Sequence, residues 1–393
     1  MRPMKRRALA LLLLVTVLST LTGCWDLRPL KQRTIVLGAG IDLGDKPGEL
    51  KLTLQAAIIK KLGSPEGGGE GDAFINLEAS GTTVQDAVSS LQEQLDRELF
   101  FGHIRVIAFA EEYAKLGIDP ALDYFVRDPN VQRLVQVTIA KGKAKDLFEA
   151  KIPVEPASSI YLANMLESAD RSAMDYRSDL GRYLVQRREP GRFPGLPVVE
   201  VVKEAPKEEK KDGGGGGGGD KPKEEKVKFQ NAGTAIFYGG RLQGLLSPEE
   251  TGGVNLIQGN HQPAKMTVPI DGPQNFVTVV VRNAGVKTKI DATGIHNAVT
   301  LEGDIIEQSM IRALSLAELN QAQAAVAARA KALVDQAVQK SQALRADPFG
   351  YGYKIYTEEP SLWKGMAWQE AWPAWKVTTA VKVAQFRRRG TSK

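Results

Sequence analysis

A charged, glycine-rich segment near the middle of the 393-residue chain limits most strongly how it can fold. Residues 203–226 hold seven lysines, seven acidic residues, seven consecutive glycines and two prolines, and no large apolar side chain. Such a composition cannot bury enough apolar surface to offset the entropy lost on ordering. We therefore predict a flexible linker over residues 203–228, between an N-terminal α/β region (24–202) with room for two subdomains and a C-terminal α+β domain (229–393). Its zero net charge favours a solvated loop over a tether that binds a partner.

The start of the chain has the three parts of a signal peptide. Residues 2–7 are rich in arginine and lysine, residues 8–21 form a 14-residue apolar stretch, and a Leu-Thr-Gly-Cys sequence follows. As a helix, such a stretch would span about 21 Å, less than the roughly 30 Å of a bilayer core. The pattern therefore predicts a signal peptide over residues 1–23 rather than a transmembrane helix.

Cys24 is the single cysteine of the chain, and it directly follows this segment. A lone thiol cannot form an internal disulfide, so folding must rest on the burial of apolar surface. Thr22 and Gly23 before the cysteine resemble the bacterial lipobox. We therefore predict cleavage between Gly23 and Cys24, an S-diacylglyceryl group on the thiol and an N-linked fatty acid such as palmitate. A plain secretory signal with a chance cysteine is the alternative.

Lipidation at Cys24 would place the protein on the outer face of the cytoplasmic membrane. Two or more acyl chains attach a protein stably, whereas one holds it only marginally.

The net positive charge of the chain does not indicate a further kind of binding partner. Four basic residues precede Cys24, so the formal charge falls from +6 to +6 − 4 = +2 in the mature chain, and nucleic-acid binding gains no support.

Periodicity predicts mixed strands and helices on both sides of the linker. Residues 34–43 and 50–59 are strand-like, and the second strand is predicted to be half-buried because Lys51, Thr53 and Gln55 alternate with apolar residues. The pattern is typical of a multi-domain α+β fold with mixed or antiparallel sheets and packed helices.

Capping boxes predict where three of the helices begin. Thr83, Ser247 and Ser315 are each followed three residues later by an acidic residue. The helix after Ser315 is predicted to run to about residue 346, which makes it the long helix of the C-terminal domain. Gly239-Gly240 predicts a two-residue hairpin turn, and residues 276–282 and 285–290 are predicted as two separate strands.

Residues that could carry chemistry do not form a recognisable motif. His103, His261 and His296 lack the spacing of metal ligands. Gly38-Ala39-Gly40 follows a strand, but the third glycine of a dinucleotide loop would fall at Leu43. No acidic residues pair in an apolar context that would raise a pKa. We predict no catalytic residue, no cofactor and no metal, and hence a protein that is not an enzyme.

Four tryptophans lie close together near the end of the chain. They are Trp363, Trp368, Trp372 and Trp375, and two of them are four residues apart on a predicted short helix. Large aromatic side chains dominate both cores and interfaces. A core position is favoured, with a partner-binding surface as the alternative.

Several short motifs occur in the order expected of one protein family. They are Gly23-Cys24-Trp25-Asp26, Val36-Leu37-Gly38 and Gly40-Ile41-Asp42; residues 101–108, Gly117-Ile118, Leu122-Asp123 and Arg127-Asp128-Pro129; residues 233–244, Glu250-Thr251 and residues 256–259; and Asp347-Pro348-Phe349-Gly350 with the tryptophan-rich segment. Together they resemble the C-subunit family of spore germinant receptors, the Ger(x)C lipoproteins, over nearly the whole mature chain. The charged insert is longer than expected for that family.

The resemblance implies a membrane receptor complex. Proteins of this family work with a multipass A subunit and a transporter-like B subunit in the spore inner membrane, where the complex responds to small nutrients and starts germination. It implies an α+β fold of about three domains and no catalytic residue. Two other hypotheses remain open. An extracytoplasmic solute-binding lipoprotein of a transporter would have two similar lobes around a polar cleft, and a lipid-anchored hydrolase would have a nucleophile beside a base.

Overall fold

The computed structural model describes residues 33–57, 74–203, 227–259, 264–272 and 274–388, together with residue 13. The predicted lipidation site Cys24, the cleavage site at Gly23, most of the predicted linker and His261 lie outside these ranges.

Two mixed sheets organise the described part of the chain. The larger has nine strands in the order β3-β2-β1-β5-β6-β7-β8-β9, with β4 beside β1. Its central neighbours β1, β5, β6 and β7 run parallel, and its outer pairs run antiparallel. The strands are β1 (Arg33–Leu43), β2 (Leu50–Ala57), β3 (Phe74–Gly81), β4 (Glu98–Phe100), β5 (Val106–Ala110), β6 (Gln136–Ala140), β7 (Gly195–Lys203), β8 (Val227–Tyr238) and β9 (Arg241–Leu246).

Helices cover both faces of this sheet. They are α1 (Val84–Gln92), α2 (Glu111–Leu116), α3 (Asp119–Arg127), α4 (Ala144–Glu149), α5 (Ser158–Glu167), a 3₁₀ turn (Ser168–Arg171) and α6 (Leu180–Gln186). One core contains the buried side chains of α1 and α3, and another contains those of α4 and α5. The prediction of a half-buried β2 was therefore wrong. Thr53 and Gln55 are 0% and 5% exposed, because helices pack on the face that was expected to meet water.

The predicted linker leaves the larger sheet and returns to it. Strands β7 and β8 pair antiparallel, and Lys203 is the register partner of Val227. A linker between two separate domains would not have to begin and end on paired strands. Strands β8 and β9 lie after the charged segment and still belong to the sheet of the N-terminal region, so the predicted boundary at residue 229 falls inside β8. The hairpin turn at Gly239-Gly240 is confirmed.

The second sheet has four strands in the order β10-β11-β12-β13 in the described part of the chain. They are β10 (Ala264–Pro269), β11 (Phe276–Asp291), β12 (Gly294–Gln308) and β13 (Val377–Arg388). The first two pairs are antiparallel and the last pair is parallel. The two strands predicted over 276–290 form a single strand, because the break between them is a register shift between Val281 and Asn283 rather than a turn.

A long helix packs against this second sheet. The helices of this part are α7 (Pro248–Gln258), α8 (Leu316–Ala343), α9 (Tyr351–Glu358), α10 (Pro360–Trp363), α11 (Trp368–Ala371) and a 3₁₀ turn (Trp372–Ala374). The capping boxes predicted at Thr83, Ser247 and Ser315 are all present. The 28-residue α8 confirms the long helix, and the mixed sheets with packed helices confirm the α+β class. None of the helices in the described ranges combines the length and apolar character that a bilayer-crossing helix needs.

Candidate functional site

The motif at Gly38, Gly40 and Asp42 on β1 holds helix α4 in place. A Cβ atom added to Gly38 would lie 2.5 Å from the Phe148 ring, and one added to Gly40 would lie 2.8 Å from it. The two glycines thus leave space for an aromatic ring of α4 directly on the strand. Asp42 accepts hydrogen bonds from the backbone N–H groups of Ala144 (2.7 Å) and Lys145 (3.0 Å), at the start of that helix. These glycines therefore serve helix packing, consistent with the rejection of a dinucleotide loop.

A buried amide joins β2 to the start of α5. The Gln55 Oε1 atom accepts hydrogen bonds from the Ser159 backbone N–H (2.9 Å) and the Ser159 hydroxyl (2.7 Å). Its Nε2 atom donates to the Phe148 carbonyl (2.9 Å), Ser158 Oγ (3.0 Å) and Asn76 Oδ1 (3.2 Å). Every polar atom of the side chain is satisfied, so this network fixes the position of α5. Sequence periodicity alone could not identify it.

Asp347 organises the turn that follows the long helix α8. Its Oδ1 atom accepts hydrogen bonds from the backbone N–H groups of Phe349 and Gly350, both at 3.0 Å. Its Oδ2 atom accepts from the Gly352 N–H at 2.7 Å and from the indole N–H of Trp368 at 3.0 Å. One fully buried carboxylate therefore ties together the turn, the first residues of α9 and the tryptophan-rich segment.

The environment of Asp347 raises its pKa although no pairing of acidic residues in an apolar stretch of the sequence indicated such a shift. Burial raises the pKa of Asp347 to about 6, although its hydrogen bonds and the nearby positive charge of Arg192 oppose the rise. Burial also raises the pKa values of Asp42, Asp119 and Asp175. Sequence patterns could not indicate these shifts because each of these carboxylates is surrounded by segments distant in sequence.

The tryptophans divide between the core and its margin. Trp372 is 0% exposed and Trp368 is 4% exposed, and their ring centroids lie 5.7 Å apart. Trp372 also lies 5.7 Å from the Tyr351 ring. Trp363 and Trp375 are partly buried against the same core. For Trp368 and Trp372, the core position that was favoured from the sequence is confirmed.

A polar groove of about 800 Å³ lies where the N-terminal region meets the C-terminal part. Arg182 and Arg192 line it from one side, and Asn283, Tyr353 and Lys354 line it from the other. Lys354 forms an ion pair with Glu358 (2.7 Å). Gly350 has a φ of +80°, and a Cβ atom there would lie 2.1 Å from Arg192 Nη1, so glycine lets the guanidinium approach Asp347. No sequence motif predicted this groove.

The histidines within the described ranges are far apart and have separate neighbours. The His103 ring packs edge-on against Phe100, with centroids 5.9 Å apart. His296 makes hydrogen bonds with the hydroxyls of Thr293 (3.0 Å) and Thr378 (2.8 Å). No group of three or more His, Cys, Asp or Glu residues suited to a metal ion occurs in the part of the chain that the structure describes.

Comparisons with known proteins cover both parts of the chain. The family model described as "Spore germination protein N-terminal domain" matches residues 26–201, and the model described as "Spore germination B3/GerAC like, C-terminal" matches residues 232–389. The chain is 22% identical to spore germination protein YndF of Bacillus subtilis (strain 168), over 97% of this chain and 96% of that protein. It is 23% identical to spore germination protein GerQC of Bacillus cereus, over 97% and 99% of the two chains.

Other relatives align over part of their length. The match spans 50% of YfkR and 41% of spore germination protein A3, both of B. subtilis (strain 168), with identities of 28% and 29%. The crystal structure of the GerBC protein shares the fold, with a TM-score of 0.54 and 19% identity over 90% of this chain and 97% of that chain. The two family models together span nearly the whole described chain, in the order that the sequence motifs indicated. The chain therefore belongs to the Ger(x)C family of spore germination proteins.

Proposed function

We propose that this spore germination protein is the lipid-anchored C subunit of a nutrient germinant receptor. In this proposal it acts through protein contacts at the membrane surface, beside integral-membrane A and B subunits, and it catalyses no reaction. The observation that carries the proposal is the match of both halves of the chain to germination-protein models. The sequence before residue 26 adds the second support, since a lipobox-like Thr-Gly-Cys follows a 14-residue apolar stretch.

The lipid anchor is tested by replacing Cys24 with alanine. Without the thiol no diacylglyceryl group can be attached, so we expect an uncleaved precursor without acyl label. Cells grown with a fatty-acid probe report acylation, and the mass of the purified protein reports cleavage. Conversion of Thr22 to serine, which keeps a small residue before the cleavage site, is the control and should leave labelling intact. Persisting label on the Cys24→Ala chain would refute acylation at this residue.

The role in a receptor is tested in spores. Deletion of the gene in a strain without close paralogues should abolish the loss of optical density in response to the nutrients of one receptor, while leaving the response to a non-nutrient trigger unchanged. Complementation with the wild-type gene should restore the response, and complementation with the Cys24→Ala gene should not. Normal responses of the deletion strain to every nutrient would contradict the proposal.

A solute-binding lipoprotein is the second candidate, and the polar groove of about 800 Å³ is the observation that favours it, since ligand sites have such volumes. Two similar lobes are expected of such a protein. In the described ranges the two sheets differ in strand number and order, and the groove is lined by helices, one strand and the segments around Arg192 and Gly350. Equilibrium dialysis of the protein against nutrient mixtures distinguishes this candidate, because it requires a tightly bound small molecule.

A further inference from the structure

The N-terminal ends of the parallel strands in the larger sheet lie side by side. We call the row of these strand beginnings one edge of the sheet, and the row of their C-terminal ends the opposite edge. Gly38 of β1 pairs with Val106 of β5, and Val106 pairs with Gln136 of β6. Because Gly38 lies five residues after the start of β1 at Arg33, this strand begins earlier than β5 and β6, and its first three residues pair with the short strand β4. The chain therefore enters the described fold at that edge.

Basic and apolar side chains are exposed along the same edge. Arg105 immediately precedes β5, Arg133 and Leu134 precede β6, and Arg182 lies on α6. The backbone N–H of Leu180, at the start of α6, donates to the carbonyl of Val135, which fixes α6 beside the start of β6. Leu134 is 72% exposed, and the three arginines are also exposed. We call Arg105, Arg133, Leu134 and Arg182 the basic edge.

Two of these arginines lack a neutralising carboxylate. The Arg133 guanidinium donates to the Val126 carbonyl (3.4 Å) and that of Arg182 to the Arg177 carbonyl (3.2 Å). Neither forms an ion pair with a described residue. Two acidic side chains at this edge have other contacts, since Glu167 pairs with Arg105 (2.8 Å) and Asp179 caps α6. Exposed positive charge therefore remains on the basic edge.

Two lysines at the opposite edge are paired, whereas Lys143 is exposed and forms no ion pair with a described residue. Lys141, directly after β6, forms an ion pair with Glu200 (3.1 Å). Lys145, on α4, forms ion pairs with Glu78 (2.6 Å) and Glu149 (3.2 Å). The positive charges of Lys141 and Lys145 are therefore neutralised locally. The charged insert also departs from this edge, between Lys203 and Val227, so the two edges of the sheet differ in chemistry.

The covalent path from the predicted lipid to the sheet is short. Nine residue steps separate Cys24 from Arg33, and a fully extended chain of that length spans at most about 30 Å. With the proposed lipid in place, the start of β1 would therefore lie no farther than this from the headgroups. Cations near an anionic bilayer surface are attracted over roughly a Debye length of about 10 Å.

We propose that the basic edge lies against the anionic headgroups of the bilayer, so that charge orients the protein that the lipid attaches. This inference rests on the proposed lipid anchor. Arg133 and Arg182 would contact phosphate groups, and Leu134 would enter the interfacial region. The opposite edge, with the charged insert, would then face away from the membrane.

Cys24 is the only native thiol, and the proposed lipid would consume it. An introduced cysteine is then the one reactive thiol of the acylated chain. Leu134→Cys places a fluorophore at the basic edge, and Lys143→Cys places it past the other end of the same strand as a matched control. Each acylated protein is reconstituted into vesicles of phosphatidylcholine, with or without phosphatidylglycerol, that carry a quencher on the headgroups.

We expect loss of fluorescence at position 134, and not at 143, in the vesicles that contain phosphatidylglycerol. The added changes Arg133→Glu and Arg182→Glu should abolish this difference, and thermal unfolding checks that these surface changes leave the fold intact. Equal quenching at both positions, or quenching that the charge reversals do not alter, would overturn the inference. Mass measurement before reconstitution distinguishes these results from a lack of acylation, which would overturn the proposed anchor and this inference together.

Discussion

Replacing Asp347 with asparagine is expected to lower the free energy of unfolding by about 3 kcal/mol. Each carboxylate oxygen accepts two hydrogen bonds, so an amide in either orientation turns its own NH₂ group toward two N–H donors. Each buried donor that loses its acceptor costs about 1–3 kcal/mol. Urea unfolding followed by tryptophan fluorescence measures the change, because the Trp368 indole is one of the donors.

Asp335→Asn is the matched control for this substitution. Asp335 lies on the exposed surface of α8 and forms an ion pair with Lys331. Such surface pairs contribute about 0–1 kcal/mol, so the control should unfold close to wild type. Equal stability of the two variants would mean that the Asp347 hydrogen bonds do not hold the turn together.

The pH dependence of the same variant gives an independent test. Burial raises the pKa of folded Asp347 to about 6, above the ordinary 3.8, so the folded state binds this proton more tightly than the unfolded state. The contribution of this titration to stability is therefore fully present below about pH 4 and is lost as the pH rises through about 6. The difference in unfolding free energy between wild type and Asp347→Asn should therefore shrink as the pH rises from about 4 to above about 6. A constant difference would contradict the raised pKa.

Local signals in the sequence predicted local structure well. The capping boxes at Thr83, Ser247 and Ser315 and the turn at Gly239-Gly240 depend on residues within four positions of one another. The long helix was predicted from its own periodicity and cap. Such features need no knowledge of the remaining chain, because the interacting groups are neighbours along it.

Features that depend on distant segments could not be predicted. The burial of Gln55 requires α5, whose Ser159 lies 104 residues later. The pKa of Asp347 depends on Trp368 and on Arg192 from the other part of the chain. The continuation of the larger sheet past the charged insert was missed because composition indicates flexibility and carries no information about which strands pair across it.

The polar groove likewise could not be predicted from the sequence. Arg192 and Lys354 come from opposite sides of the charged insert, and each has an unremarkable sequence context. Only the close approach of Arg192 to Gly350, at the start of α9, brings them to one cavity. A family resemblance identifies the kind of protein, whereas the position of such a cavity follows from tertiary contacts.

Replacing Gly38 with alanine is expected to lower the free energy of unfolding by about 2–3 kcal/mol. The new Cβ atom would lie 2.5 Å from Phe148 Cε1 and 2.7 Å from Ser159 Cβ, well inside contact distance. Relief requires both α4 and α5 to move away from β1, which would also strain the Gln55 hydrogen bonds to Phe148 and Ser159. Chemical unfolding of the purified protein measures the loss.

Gly285→Ala is the matched control, because Gly285 also lies in a strand but a Cβ atom there meets only the Thr300 carbonyl oxygen at 3.9 Å. This variant should stay within about 0.5 kcal/mol of wild type or gain slightly, since alanine restricts the unfolded chain. The double variant Phe148→Leu with Gly38→Ala should lower the free energy of unfolding by less than the sum of the two single changes. The smaller side chain at position 148 removes one of the two overlaps. If Gly38→Ala were as stable as Gly285→Ala, the contact between α4 and β1 could not be what requires glycine in this motif.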